Sequence, residues 1–129
     1  MRIEKERFIN RNFLRNHPEV TFVFGDNLLR RGYGGAASLR DEVNTYGFIT
    51  KKYPSNHDSS FYRVSEYMPV FGVEIEKLKS NICSNPNKQF LISKIGGGLA
   101  NRYGIFEEVI SLGLPDILAG YVNVSLLWD

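Results

Sequence analysis

Two glycine-rich segments, each directly after an apolar run typical of a buried strand, constrain this sequence most. The first, residues 25–37, begins after the run 21–24, and the second, residues 96–100, begins after the run 90–95. Glycine has no Cβ to keep the backbone away from a ligand, and it adopts positive φ readily. A strand that leads into such a loop and then into a helix directs several backbone N–H groups toward one point, where an anion binds well. Two such loops predict a ligand with more than one phosphate or ribose, held between them.

Composition indicates one ordinary globular domain. The 129 residues are 43% hydrophobic and 23% charged, which is enough for residues 1–129 to bury a core of their own. The formal net charge of +2 is too small to indicate a nucleic-acid-binding protein. Cys83 is the single cysteine, so the chain has no internal disulfide and no cysteine–histidine cluster for zinc. The sequence shows neither a membrane-spanning run nor a signal-peptide pattern, so we predict a cytoplasmic domain without metal or cofactor.

Helical patterns alternate with these apolar runs. Asn10 is placed to cap a short helix over residues 11–16, and residues 36–45 predict a second helix just after the first glycine loop. The longest helix is predicted over residues 65–82, and Glu74 within it is expected to be solvated. The apolar residues of this helix lie on one face; they are Phe71, Ile75, Leu78 and Ile82. Shorter helices are predicted over residues 105–112 and 115–119.

The strands predicted between these helices indicate an α/β fold. Their ranges are 21–24, 47–50, 90–95 and 122–127. Strands separated by helices pair mostly in parallel, with right-handed crossovers. Ligands of such sheets bind outside the carboxyl ends of the strands. Because both glycine loops and the pair Lys51–Lys52 follow predicted strands, we expect all three to meet at one edge of the sheet.

The loop motifs resemble those of a known family. Gly-Asp-Asn at residues 25–27, followed by Gly-Tyr-Gly-Gly-Ala-Ala at residues 32–37, resembles the first ligand loop of macrodomains, the ADP-ribose-binding α/β modules. Residues 48–52 and 95–99 are similar to two motifs of the macrodomain subgroup that removes ADP-ribose from acidic side chains. The chain also resembles small uncharacterised phage and bacterial proteins with a similar Phe-Gly-Asp-Asn-Leu segment. Over residues 22–124 the resemblance implies a single three-layer, macrodomain-like domain with a mixed, mostly parallel central sheet.

The resemblance also implies roles for particular residues. Lys51 falls where the family's lysine attacks or holds the anomeric carbon of the distal ribose, and Lys52 is placed to assist it. Asn27 matches the asparagine that faces this ribose. The loop around the ribose corresponds to Gly34, Gly35, Ala36 and Ala37. The loop that supplies N–H groups to the diphosphate corresponds to Gly96, Gly97, Gly98 and Leu99. Candidate ligand-binding residues within or beside these loops are also Asp26, Gly32, Tyr33 and Ala100.

One position departs from the subgroup's pattern. An aspartate follows Gly-Leu in the subgroup, whereas this chain has Ala100. Ala100 has no group that can handle a proton, so the lysine–aspartate route lacks its second residue, while binding through backbone N–H groups is less affected. We therefore rank a binder of ADP-ribose or a related NAD-derived nucleotide first. A hydrolase that uses Lys51 with another acid, such as Asp26 or Asp58, is second.

Two alternatives need no nucleotide. Gly34 and Gly35 could simply allow the following helix to pack tightly against the sheet, and Lys51–Lys52 could be a solvated surface pair. The third function is a small nucleic-acid or protein interaction module, in which Tyr, Phe, Lys and Arg side chains near the loops, such as Tyr33, stack on unpaired bases. The weak net charge argues against nucleic acid, so the expected partner is the nucleotide, free or attached to a macromolecule, with no membrane involved.

Overall fold

The computed structural model describes residues 1–128 and has an α/β fold, as predicted. The strands are β1 (Arg2–Glu4), β2 (Val20–Asn27), β3 (Thr45–Lys51), β4 (Gln89–Ile92) and β5 (Val124–Leu127). The helices are α1 (Arg11–Asn16), α2 (Val64–Ser84) and α3 (Ser111–Leu118), and a π-helical turn over Phe106–Ile110 precedes α3. Short 3₁₀ turns span Gly35–Ala37 and Asp58–Ser60.

The five strands form one sheet in the order β1-β5-β4-β2-β3. Every pairing between these strands is parallel, so the described part of the sheet is wholly parallel rather than mixed. Each connection carries the chain back to the end at which the previous strand began, and parallel pairing requires this. β1 has no counterpart among the predicted strands, because its three residues are too few to show a pattern.

Side chains from the two faces of the sheet form two apolar cores. On one face α2, α3 and the π-helical turn cover the inward side chains of β2, β4 and β5, and Phe90, Ile92 and Leu126 are fully buried there. On the other face α1 and residues 37–39 cover Phe22 and Phe24. Helices therefore lie on both sides of the sheet. Within residues 1–128, no helix combines the length and apolar character needed to cross a membrane.

Two of the predicted helices, over residues 11–16 and 65–82, are confirmed. The Asn10 side chain accepts a hydrogen bond from the Phe13 N–H at 2.8 Å and caps α1. The predicted helix over 65–82 is α2, which the Glu66 carboxylate stabilises at its start by accepting from the Arg63 N–H at 3.0 Å. The shorter predicted helices over 105–112 and 115–119 are wrong as separate units, because the π-helical turn runs directly into α3.

Glu74 is buried, so the expectation that it is solvated is wrong. Only 5% of the residue is exposed, and its Oε1 accepts from the Ile49 N–H at 2.7 Å. The Tyr67 hydroxyl donates to the Ile49 carbonyl at 2.6 Å, and burial raises the pKa of this phenol. β3 is an edge strand, and its outward backbone groups need partners to resist pairing with another chain. Two side chains of α2 therefore close the sheet edge next to Lys51.

The helix predicted over residues 36–45 does not form. Only the 3₁₀ turn Gly35–Ala37 is helical there, and irregular turns continue to β3. The polar side chains of this segment are bound to distant partners instead: Arg40 to Asp26 at 2.6 Å, Glu42 to Arg11 at 2.7 Å, and Asn44 to the Leu14 carbonyl at 2.9 Å. These long-range bonds outweigh the modest helix propensity of the segment.

Candidate functional site

The two glycine loops line a common cavity at the carboxyl ends of β2 and β3. This space, which we call the lysine cavity, has a volume of about 520 Å³ and includes Lys51 in its wall. The predicted site residues that line it are Asp26, Asn27, Gly32, Gly34, Gly35, Ala36, Ala37, Lys51, Gly96, Gly98, Leu99 and Ala100. Tyr33 does not line it, and 60% of this residue is exposed to solvent. Segments about sixty residues apart in the chain thus line the same lysine cavity.

A second cavity of about 780 Å³ adjoins the first. We call it the N-terminal cavity because residues 6–9 form one wall, with Leu39 and Leu127 elsewhere in its lining. Gly97 lines this cavity rather than the lysine cavity. Both cavities share five lining residues: Gly35, Ala36, Ser93, Lys94 and Gly98. The two spaces therefore form one elongated groove that the glycine loops divide.

The physical reason for a glycine differs from one loop position to the next. Gly96 has φ +76°, and a Cβ there would overlap Ile110 Cδ1, so backbone conformation and packing both demand glycine. Gly34 has an ordinary φ of −80°, and a Cβ on Gly34 or on Gly98 would meet no atom within 4 Å. Tight packing against a helix therefore does not explain Gly34. The space in front of Gly34 and Gly98 is open to a molecule in the groove.

Backbone donors in both loops lack partners within the protein. The N–H groups of Gly34, Gly98 and Leu99 donate no hydrogen bond to any acceptor in residues 1–128. By contrast, the Gly97 N–H is bonded to the Lys94 carbonyl at 3.0 Å. Free backbone N–H groups in residues that line a groove are donors that an anion can use.

Buried Asp26 binds two arginines and so stabilises the first glycine loop. Its side chain is 2% exposed, and Arg40 binds both carboxylate oxygens, with Nη2–Oδ1 at 2.6 Å and Nη1–Oδ2 at 3.0 Å. Arg30 Nη1 adds a third contact at 3.1 Å. The Arg40 guanidinium also donates to the Gly32 carbonyl at 2.8 Å and to the Arg31 carbonyl at 3.0 Å. Both Asp26 oxygens thus have partners inside the protein, and the ion pair fixes the loop's path.

The Asn27 side chain stabilises the same loop, and some of its hydrogen-bonding groups have no partner there. Its Nδ2 donates to the Arg31 carbonyl at 2.8 Å, and its Oδ1 accepts from the Leu29 N–H at 3.1 Å. An amide side chain has two N–H donors and two acceptor positions on oxygen. One of each therefore remains on Asn27, which lines the lysine cavity.

Lys51 carries an unneutralised charge at the end of the groove. Its Nζ forms no hydrogen bond or ion pair with residues 1–128 and lies 4.9 Å from the centroid of the Phe61 ring. Burial, together with the nearby positive charge of Arg102, lowers the pKa of Lys51. Lys52 does not share this environment, because its Nζ pairs with the Glu66 carboxylate at 2.8 Å. The two neighbouring lysines are therefore chemically distinct.

Lys94 is a second cation of the groove that was not predicted as a site residue. It lines both cavities, and its Nζ lies 5.0 Å from the centroid of the Phe106 ring. Its position directly before Ile95–Gly96 was the available signal, since the residue that enters a ligand loop faces the same edge of the sheet. The wall formed by residues 6–9 was also missed, because that segment carries no glycine or motif.

Comparison with curated proteins and with solved structures finds no match to this chain. A family model described as "Family of unknown function (DUF7831)" matches residues 4–100. The matched region begins in β1, covers the wall at residues 6–9 and both glycine loops, and includes Lys51 and Lys94. This region is about three quarters of the chain, so the protein belongs to the family of unknown function DUF7831.

Proposed function

We propose that this protein binds ADP-ribose or a related NAD-derived nucleotide in the groove, as a macrodomain-like domain. The observation that carries the proposal is the pair of facing glycine loops, in which Gly34 and Gly98 have open space where a side chain would stand. Neither packing nor positive φ accounts for these two glycines. A ligand backbone or phosphate that approaches them closely does account for them.

The groove fits a dinucleotide-like ligand in size and charge. Its two parts, of about 520 and 780 Å³, lie within the usual range for small-molecule sites. Gly98 and Lys94 line both sides of the junction, Gly34 lines the lysine cavity, and the N–H groups of Gly34 and Gly98 have no acceptor in residues 1–128. We therefore place the diphosphate at the junction, one ribose in the lysine cavity and the nucleoside in the N-terminal cavity.

Isothermal titration with ADP-ribose tests this proposal directly. Gly98→Val fills the open space at the junction, so we expect its affinity to fall at least about tenfold, or about 1.4 kcal/mol. Gly72→Val is the matched control, because Gly72 also has nothing within 4 Å of its Cβ position but lies in α2. Its affinity should equal that of the wild type. Absence of heat from the wild type at millimolar ADP-ribose would contradict the function, and full affinity in Gly98→Val would contradict the placement.

A second candidate function, removal of ADP-ribose from acidic side chains, is supported by the state of Lys51. A lysine attacks the anomeric carbon only as the neutral amine, and Lys51 has a lowered pKa and no acidic partner in residues 1–128. The position of the subgroup's aspartate is Ala100, and Asp26 is held by two arginines. Of the two alternative acids, Asp26 and Asp58, this leaves Asp58, which accepts a hydrogen bond from Tyr103.

The pH dependence of turnover tests the hydrolase candidate. With an ADP-ribosylated acidic peptide, we expect the rate to rise with pH as Lys51 loses its proton, and to level off above its lowered pKa. Arg102→Gln removes the positive charge that helps lower this pKa, so the rise should move to higher pH. Lys51→Arg should abolish turnover, whereas Lys52→Arg should retain it. Turnover that persists in Lys51→Arg would exclude this mechanism.

A further inference from the structure

A cluster of cations and aromatic rings lies on the surface next to the lysine cavity. We call it the arginine cluster and define it as Arg63, Arg102, Phe61, Tyr103 and Asp58. Arg102 Cζ lies 4.1 Å from the centroid of the Phe61 ring, and Arg63 Cζ lies 4.3 Å from that of Tyr103. Lys51 Nζ contacts the same Phe61 ring, so the cluster adjoins the end of the groove where Lys51 lies.

Asp58 holds the two guanidinium groups near each other. Its Oδ1 is 3.5 Å from Arg102 Nη1, its Oδ2 is 4.0 Å from Arg63 Nη2, and the Tyr103 hydroxyl donates to it. The aromatic contacts and this shared carboxylate restrain both arginines before any partner arrives. A restrained guanidinium loses less conformational freedom when it forms hydrogen bonds.

The cluster has positive charge that the protein does not neutralise. Asp58 pairs with both arginines, Glu66 lies near Arg63 but pairs with Lys52, and the adjoining Lys51 has no acidic partner in residues 1–128, so cations outnumber carboxylates here. The Arg63 side chain is 62% exposed and the Arg102 side chain 41% exposed, so their remaining N–H groups are available to a partner. Burial and, to a smaller extent, the positive charge of Arg102 lower the pKa of Lys51.

We propose that the arginine cluster is a docking surface for an acidic protein segment. Guanidinium groups bind carboxylates with two parallel hydrogen bonds, and both arginines present exposed N–H groups. An acidic segment on this surface would bring its protein to the Lys51 end of the groove. If the proposed function holds, this docking would present an ADP-ribosylated side chain to the groove. Binding of the acidic segment itself does not depend on that function.

The covered aromatic rings favour an acidic peptide over single-stranded nucleic acid. Proteins that bind single strands offer free aromatic faces on which bases stack. Here Phe61 is buried beneath Arg102 and Lys51, and Arg63 covers a face of Tyr103. The partner therefore meets mainly guanidinium groups. The net charge of the whole chain, +2, is also small for a protein that binds a polyanion.

Nuclear magnetic resonance titration of the nucleotide-free protein at low ionic strength tests the docking surface. The probes are a hexaglutamate peptide, a hexaglutamine peptide of equal length and an oligo(dT) of equal charge. We expect the glutamate peptide to shift resonances of residues 58–63 and 101–104, and salt to weaken this binding. The double variant R63Q/R102Q should lower its affinity about three- to tenfold, as the loss of two exposed ion pairs implies.

The matched control changes two arginines of another ion-pair network. Arg11 and Arg15 pair with Glu42, and R11Q/R15Q should leave the affinity for the glutamate peptide unchanged. Equal binding of the glutamine peptide, stronger binding of oligo(dT), or no shift with the glutamate peptide would each overturn the proposal. Because no ADP-ribose is present in this titration, its result can be interpreted even if the protein does not bind ADP-ribose. In the same way, failure of the peptide to bind leaves the ADP-ribose titration valid.

Discussion

Replacing Gly96 by alanine is expected to lower the free energy of unfolding by about 2–5 kcal/mol. Gly96 has φ +76°, where a side chain is strained, and the new Cβ would overlap Ile110 Cδ1. Ile110 is fully buried, so it has little room to move away. Urea-induced unfolding measures the loss, and the turn at Gly96 should shift enough to weaken the proposed binding of ADP-ribose as well.

Two glycines serve as controls for this substitution. Gly98→Ala should change stability by no more than about 0.5 kcal/mol, because its Cβ meets no atom within 4 Å. Gly72→Ala should stabilise the protein by about 0.5–1 kcal/mol, since Gly72 is exposed in the middle of α2. A Gly96→Ala variant as stable as the wild type would mean that the turn does not need glycine.

The three consecutive glycines show where sequence reasoning reaches its limit at the site. Their order predicts a backbone that approaches a ligand, and the loop does line the groove. Their separate roles depend on what surrounds each glycine in the folded chain. A Cβ on Gly96 would overlap Ile110, and a Cβ on Gly97 would lie only 2.9 Å from Lys94 Cγ. A Cβ on Gly98 would meet open space. The sequence alone therefore predicts the loop but not which glycine tolerates a side chain.

The fold was predictable where local pattern and burial agree. The apolar spacing of α2 and the apolar runs of β2 and β4 are local signals, and the structure has these elements close to their expected positions. Glu74 shows the opposite case. Its position on the helix indicates solvent, but the bare edge of β3 needs an acceptor for the Ile49 N–H. Only the folded arrangement of helix and strand shows that need.

The first glycine loop was predicted as a ligand loop followed by a helix, and only its place at the groove agrees with the structure. The helix is absent because Arg40 reaches back to Asp26 and to two loop carbonyls. A partner fourteen residues away is invisible to local propensity. Gly47 gives the same lesson, since a Cβ there would overlap Asp26 Oδ2, so this strand glycine makes room for the carboxylate.

Replacing Asp26 by asparagine is expected to lower the free energy of unfolding by about 3 kcal/mol, near the lower end for breaking a buried ion pair. Arg40, whose side chain is only 14% exposed, would lose its charged partner and face an amide that also carries donors. The loop carbonyls of Arg31 and Gly32 depend on the same guanidinium. Urea unfolding should therefore show the lower free energy of unfolding. Amide hydrogen exchange of residues 28–36 should become faster.

Asp41→Asn is the matched control for this ion pair. Asp41 pairs with Arg11 at 2.7 Å, but its side chain is more than half exposed, so its loss should cost at most about 1 kcal/mol. The double variant D26N/R40Q should be less destabilised than the sum of its single variants, because each single change leaves a buried group unpaired. Additive effects, or unchanged exchange of residues 28–36 in D26N, would show that the ion pair does not hold the loop. Non-additive loss with faster exchange would tie the shape of the groove to the buried ion pair between Asp26 and Arg40.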